Sequence, residues 1–273
     1  MNPRREIIAT YAILGFFSLI ALSPLLGIVA LALQPAGAHN VGLQIPTSLN
    51  FENFGRAWNE GYLAEYMRSS VIVTVTVVVV VIPLTVAAGF AFGVMSFPGR
   101  DLLFYLLLLG LVVPFEAAII PLFQNMRAVG LDDTYFGLIL PQVGLYTSFG
   151  VFWMRAFFRS IPSSLLEAAR IDGARSFTIL RLVLLPMAKS ALLTQALLTF
   201  MWSWNEFLLP LVMVSSNDKQ TAPLGILFFI HDRTTDQTGL AAAAVLVALP
   251  VVIVYLLLQR SFMRGMFTGA MKG

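Results

Sequence analysis

Residues that could carry covalent or metal chemistry are sparse in this sequence of 273 residues. There are no cysteines and only two histidines, His39 and His231, which lie far apart in the chain. This excludes thiol catalysis, a disulfide framework and the usual Cys/His zinc spacings. His231 is followed by Asp232, but one such pair is more typical of a solvated loop than of a metal or catalytic site. The sequence therefore predicts no metal, no cofactor and no catalytic residue.

The lysines exclude one source of energy. A P-loop requires a lysine after glycine and before serine or threonine, because its ammonium group and the backbone amides of the loop bind the phosphates of ATP. The lysines here follow alanine, aspartate and methionine, at Lys189, Lys219 and Lys272. The chain cannot hydrolyse ATP by the P-loop route, so any such ATP hydrolysis would have to take place on a partner chain.

The most informative polar segment is the loop at residues 159–186. Pro162 suits the first turn of a helix, and Ser164 and Glu167 have the spacing of a capping box. Gly173 can adopt the left-handed conformation that ends a helix, and a second helical segment follows it. The pattern predicts a helix–turn–helix at a membrane surface, too short and too charged to cross.

Two interpretations of this loop stay open on physical grounds. An amphipathic hairpin can rest on lipid headgroups. Alternatively, the small Ala168 and Ala169 allow another protein to approach closely, so the hairpin could be a docking element.

Polar residues inside apolar segments are the other candidates for function. Ionisable groups are costly within a membrane, so Glu116 and Glu206 require an explanation. Each could face a substrate path or pair with a neighbouring helix. Weaker candidates for the path are Gln142, Gln195, Trp204 and Asn205. The two glutamines could instead bridge helices, and the tryptophan could mark an interface or the core.

Composition identifies the elements that must position these residues. The chain is 58% hydrophobic and 11% charged, with a mean hydropathy of +0.85, which is typical of a membrane protein. Stretches long enough to cross the hydrocarbon core predict an all-α polytopic protein with six transmembrane helices in one transmembrane domain, residues 1–273. The predicted spans are residues 7–33, 69–95, 102–123, 135–157, 189–214 and 239–258. The first is longer than a signal-peptide core, so we expect it to be retained as an anchor.

The distribution of basic residues predicts the orientation. With the N-terminus inside, twelve of the 17 lysines and arginines lie on the cytoplasmic side and five on the other. Basic residues concentrate in cytoplasmic loops, so we expect both termini in the cytoplasm. The basic excess is thus a topology signal and not a nucleic-acid footprint.

The polar loop resembles the EAA loop of ATP-binding-cassette importer permeases. The pattern of that loop is E-A-A-x3-G-x9-I-x-L-P, and the sequence matches it from Glu167 through Gly173 to Pro186, with Val183 where isoleucine is usual. Further segments resemble the carbohydrate-uptake branch of these permeases. Within that branch they are similar to the second membrane subunit of the maltose-type system. These are residues 49–54 with Ala57-Trp58, residues 96–100, residues 202–207 and the tail from Arg264 to Gly273.

The resemblance implies a permease subunit and a set of partners. It implies a multi-pass protein of the cell membrane that contacts membrane lipid and forms a heterodimer with a second permease. The further partners it implies are two ATPase subunits and an extracytoplasmic substrate-binding protein. ATPase docking would involve Glu167, Ala168, Ala169, Arg170, Asp172 and Gly173. The tail residues Arg264, Lys272 and Gly273 would reach toward the ATPases, although Arg264 and Lys272 could instead bind anionic lipid.

Substrate and mechanism are less constrained. A phosphate substrate favours an arginine or lysine deep in the membrane. The predicted spans hold basic residues only at their cytoplasmic ends, Arg155 and Lys189, so a neutral saccharide is preferred. Glu116 or Glu206 could then accept hydrogen bonds from sugar hydroxyls. The alternative is an ion-coupled secondary transporter, which needs broken half-helices or a buried charge relay.

Overall fold

The structure is a computed structural model of this chain. It describes residues 3–36, 38, 46, 48–230 and 235–270, and side chains are described from residue 7 to residue 259 within those ranges. In this part of the chain every regular element is a helix, and the only β-type pairing is an isolated bridge between Ile230 and Thr235. The prediction of an all-α protein is confirmed.

The chain divides into two compact units. The first comprises Met1–Met67 and Ala222–Pro250. Its helices are α1 (Pro3–Ala32), α2 (Glu52–Asn59), α12 (Ala222–Gly225) followed by a 3₁₀ turn at Ile226–Phe229, and the first part of α13 (Gln237–Ala270).

The second unit comprises Arg68–Thr221 and Val251–Gly273. It holds most of α3 (Leu63–Val94), then α4 (Arg100–Val112), α5 (Phe115–Ala128), α6 (Tyr135–Arg159), α7 (Ser163–Ile171), α8 (Ser176–Thr178), a π-helix at Ile179–Leu184, α9 (Leu185–Met187), α10 (Lys189–Trp204), α11 (Leu208–Met213), a 3₁₀ turn at Asn217–Lys219 and the rest of α13.

Four helices are long and apolar enough to cross a membrane. They are Ile7–Ala32, Leu63–Val94, Tyr135–Arg159 and Gln237–Gln259. Two further pairs of helices reach this length only as bent pairs, so the described residues contain up to six candidate spans. Most apolar side chains of α1 are exposed, as expected of a helix that faces lipid or another chain.

The third predicted span, residues 102–123, is not one straight helix. The chain turns by 98° between α4 and α5. Val113 and Pro114 have extended backbone there, because proline cannot donate a hydrogen bond and disfavours helical backbone at the preceding residue. The bend places Glu116 in the first turn of α5.

The fifth predicted span, residues 189–214, is also interrupted. Helix α10 ends at Trp204, and the short α11 begins three residues after Asn205, at Leu208. At its other end α10 bends by 77° from the preceding segment, Ser176–Met187. Hydropathy measures the length of an apolar run but not its direction, so both breaks are invisible to it.

Candidate functional site

The first arm of the predicted hairpin is α7. It begins at Ser163, directly after Pro162, so its start lies where the sequence predicts it. The predicted capping box is wrong, because Ser164 lies inside the first turn and no side chain caps the helix. The extended backbone of Pro162 sets the start instead.

The turn after α7 is a Schellman motif. Gly173 has a φ of +81°, the left-handed conformation that glycine adopts without strain. The Gly173 amide donates to the Arg170 carbonyl at 3.0 Å, and the Ala174 amide donates to the Ala169 carbonyl at 2.9 Å. These two bonds satisfy carbonyls that the helix end leaves free. The turn predicted at Gly173 is confirmed.

The second arm is helical but irregular. Between α8 and α9 it contains six residues of π-helix, Ile179–Leu184, just before Pro186. Proline removes one backbone donor and clashes with the carbonyl four residues earlier, and a wider turn relieves that crowding. The bend into α10 follows at Ala188, whose amide donates to the Leu184 carbonyl at 2.8 Å.

One face of the hairpin packs on the helix bundle. Ile161, Ile179 and Leu184 are buried in a cluster that includes Phe158 of α6. Partly buried hairpin residues pack against this cluster, namely Leu166, Ala169, Ala174, Leu180 and Leu185. The hairpin is therefore held by its own apolar face. Ala169 belongs to this inner face and not to the exposed surface.

The opposite face of the hairpin is open. Ile171 is 87% exposed, Phe177 71% and Leu182 66%. The remaining predicted docking residues, Glu167, Ala168, Arg170, Asp172 and Gly173, are exposed as well. We call this exposed set the outer face of the hairpin. It carries both large apolar side chains and charged ones.

The predicted tail contacts, and the loop pair His231-Asp232 that was predicted to be solvated, fall partly or wholly outside the described structure. The backbone of Arg264 lies in α13, but its side chain is not among those described, and Lys272 and Gly273 lie outside the described residues. His231 and Asp232 also lie outside them.

Gln195 joins three helices of the second unit. Its side chain is fully buried, and its Nε2 donates to Oγ1 of Thr85 at 2.7 Å. Gly150 of α6 faces both groups, and a side chain there would overlap Gln195 and Thr85. Gln195 therefore links α10 to α3 against the backbone of α6, the structural alternative that the sequence left open.

A stripe of buried polar residues runs along α10. Gln195, Thr199 and Ser203 recur every fourth residue, so they share one face of the helix. Their side-chain oxygens, like Oε1 of Gln142 on α6, have no hydrogen-bond partner within the described part of the chain. Thr199 and Ser203 were not predicted, although this spacing of hydroxyl residues in an apolar span is readable in the sequence.

The break between α10 and α11 holds three of the predicted residues. Oε1 of Glu206 accepts a hydrogen bond from the Leu209 amide at 3.1 Å, so this carboxylate caps α11. Nδ2 of Asn205 donates to the Met201 carbonyl at 2.7 Å, while Trp204 is buried and stacks on Phe200. Glu206 and Asn205 thus stabilise the break.

Glu116 lies apart from these groups along the chain, next to the bend between α4 and α5. It is exposed and stands in the first turn of α5. A carboxylate at this end of a helix is stabilised by the helix dipole.

Sequence reasoning missed a polar clamp around Asp133. Its Oδ1 accepts hydrogen bonds from the amides of Ser215 at 3.1 Å and Ser216 at 3.0 Å. The Ser216 hydroxyl and the Lys219 ammonium contact Oδ2. Hydrogen bonds from the Ser216 side chain and backbone hold the pKa of Asp133 below its usual range, although burial opposes them. The clamp fixes the loop after α11.

Similarity to known proteins identifies the family of this chain. The family model described as "Binding-protein-dependent transport system inner membrane component" matches residues 82–268. The diacetylchitobiose uptake system permease protein NgcG of Streptomyces coelicolor is 33% identical and covers 95% of this chain and 87% of its own length. The trehalose transport system permease protein SugB of Mycobacterium tuberculosis is also 33% identical and covers 93% of each chain.

Solved structures agree with the fold. A chain of a bacterial ABC transporter involved in the import of the acidic polysaccharide alginate is 27% identical, with a TM-score of 0.79 over 95% of this chain and 97% of that chain. The family match covers more than half of the sequence, and the relatives cover nearly all of it. The chain therefore belongs to the family of binding-protein-dependent transport system inner membrane components, and it is a membrane-spanning permease subunit and not an enzyme.

Proposed function

We propose that this chain forms half of the membrane pathway of an ATP-driven carbohydrate importer and couples to a separate ATPase through the hairpin at residues 159–186. The observation that carries the proposal is the exposed outer face of the hairpin, with Gly173 in the left-handed conformation at its tip. That face holds all of the predicted docking residues except Ala169.

The chemistry of the outer face suits a protein partner. Large exposed apolar side chains on one element favour an interaction site, and the hairpin exposes Ile171, Phe177 and Leu182. Arginines border them at positions 170, 175 and 181. The ATPase surface should therefore offer an apolar groove, with acidic groups opposite these arginines and a basic group opposite Glu167.

The proposed assembly contains a second permease, two ATPase subunits and an extracytoplasmic binding protein. The family description names dependence on a binding protein, and an alginate transporter with 13% identity and a TM-score of 0.68, which supports the fold alone, was solved with a periplasmic protein. Both termini would lie in the cytoplasm, where Arg264, Lys272 and Gly273 would meet the ATPases.

The proposed substrate class is a sugar or oligosaccharide. Relatives at 33% identity are named for diacetylchitobiose and trehalose, although a relative at 32% is named for sn-glycerol-3-phosphate. Of the residues predicted to line the path, Gln142 and Gln195 each keep a side-chain oxygen without a hydrogen-bond partner in the described part of the chain. The side chains of Gln195, Asn205 and Glu206 already make hydrogen bonds within the chain. To bind substrate, they would have to give up these hydrogen bonds.

Ion-coupled transport is the less favoured alternative. The bent helix pairs are of a type found in secondary transporters. The similarity to an ABC transporter chain over nearly the whole sequence favours an ATP-driven system instead.

Substitution at the tip of the hairpin tests the proposal. Gly173→Trp forces a large side chain into a left-handed conformation, which costs roughly 1–2 kcal/mol, and adds bulk to the docking surface. We expect the variant to insert normally while ATP hydrolysis no longer drives uptake, measured in proteoliposomes of the complete complex.

Gly130→Trp is the matched control for this experiment. Gly130 also has a positive φ, +71°, and nothing lies within 4 Å of a Cβ added there, but it lies outside the hairpin. Normal transport by Gly173→Trp would contradict docking through this turn.

A further inference from the structure

Arg155 occupies an unusual position for a basic residue. It lies one helical turn before the end of α6, and its side chain is only 14% exposed. A charge removed from water in this way must be paired to be tolerated. Its partners therefore indicate what this side chain holds together.

Three contacts tie Arg155 to two other helices. Its Nε donates to the Phe92 carbonyl in the last turn of α3 at 3.3 Å. Its Nη2 lies 3.5 Å from Oδ1 of Asp101 in the first turn of α4. Its guanidinium carbon lies 3.7 Å above the centre of the Phe104 ring, a cation–π geometry. One planar group thus joins α3, α4 and α6.

Glycines bring α3 and α6 unusually close beside these contacts. Gly89 and Gly93 have the G-x-x-x-G spacing that permits close helix packing. A Cβ at Gly89 would lie 2.6 Å from Cβ of Met154, and one at Gly93 would lie 3.2 Å from Cβ of Phe158. Little room remains for these two helices to slide past each other.

The same end of α6 leads directly into the hairpin. Phe158 belongs to the buried cluster that contains Ile161, Ile179 and Leu184. Packed contacts therefore run without interruption from α3 through α6 to both arms of the hairpin.

We propose that Arg155 is a positioning residue that makes the turn between α3 and α4 move together with the hairpin. This proposal rests on the proposed function, in which the hairpin receives the movement of the ATPase. The guanidinium is suited to the task because its fixed fork reaches a carbonyl, a carboxylate and a ring at once, which a lysine ammonium cannot do.

A distance measurement tests the proposal directly. The chain has no cysteine, so spin labels can be attached at Ser96→Cys in the α3–α4 turn and Ser164→Cys in α7, both exposed positions. The sample is the complete complex with cysteine-free partner subunits, with and without ATP. We expect one narrow distance that ATP leaves unchanged, and a broadened one after Arg155→Ala. A distance that changes with ATP while Arg155 is intact would overturn the proposal.

Transport per ATP gives a second readout. We expect Arg155→Ala to keep the ATPase bound but to lower substrate transported per ATP by about tenfold, because a charged hydrogen-bond donor and a cation–π contact are lost together. For Arg155→Lys, the substrate transported per ATP should lie between the values for Arg155→Ala and the unmodified protein. Arg127→Ala, at an exposed arginine of α5, is the control and should leave the ratio unchanged.

The outcomes separate the two proposals. Unchanged transport per ATP in an ATPase-bound Arg155→Ala complex overturns the role of Arg155 alone. Failure of the unmodified chain to bind an ATPase overturns the proposed function, and the role of Arg155 with it.

Discussion

Single glycines determine how closely the helices of the second unit pack. Gly150 is the clearest case, because Gln195 of α10 and Thr85 of α3 meet over its bare backbone. The polarity of Gln195 is visible in the sequence, and it correctly suggests a contact between helices. Its partner, 110 residues away, is not visible, because only the packed fold brings the two side chains together.

Gly150→Ala should destabilise the protein by about 1–3 kcal/mol, the usual effect of overpacking a close-packed site. The added methyl would overlap both Gln195 and Thr85, so the hydrogen bond between them should break. Thermal unfolding in detergent measures the change. Gly144→Ala on the same helix is the control, since nothing lies within 4 Å of its added Cβ, and equal unfolding temperatures for the two variants would contradict this packing.

At the scale of elements, prolines show what could and could not be read from the sequence. Pro83, Pro141 and Pro250 lie inside helices that continue past them, whereas Pro114 lies at a 98° bend. In a membrane, neighbouring groups can satisfy the backbone that a proline frees, so the residue type alone does not decide whether a helix breaks. The hairpin turn was predictable because Gly173 satisfies a local requirement.

The loop after α11 is held by the Asp133 clamp, and its stability should depend on pH. The pKa of Asp133 is lowered in the fold, first by hydrogen bonds from Ser216. The clamp therefore contributes stability above the unfolded pKa of about 4, and this contribution is lost as pH falls through the lower folded value.

Hydrogen exchange at residues 215–219 measures this effect. After correction for intrinsic rates, we expect protection at about pH 6 and its loss at strongly acidic pH, below the usual aspartate value of about 4. Asp133→Ala removes the acceptor of both amides, so in this variant residues 215–219 should exchange rapidly at both pH values. Equal protection of the unmodified loop across this range would contradict the role of the clamp.

At the scale of the whole molecule, the features that define the protein are its apolar spans and one polar hairpin with an exposed outer face. Composition predicts the all-α membrane fold because a chain with 11% charged residues cannot cover a water-soluble surface. The Asp133 clamp and the contacts of Arg155 depend on residues distant in sequence. Only the packed helices bring them together.

The central claim is that the outer face of the hairpin binds an ATPase, and affinity purification tests it most directly. The chain is purified in mild detergent beside Glu167→Lys, which reverses a charge on the outer face, and Glu65→Lys, which reverses an exposed charge in α3. Proteins that co-elute are identified by mass spectrometry. We predict that an ATPase and a second permease co-elute with the unmodified chain and with Glu65→Lys, and that Glu167→Lys loses the ATPase alone. A chain that elutes alone and still drives uptake in liposomes would contradict the account.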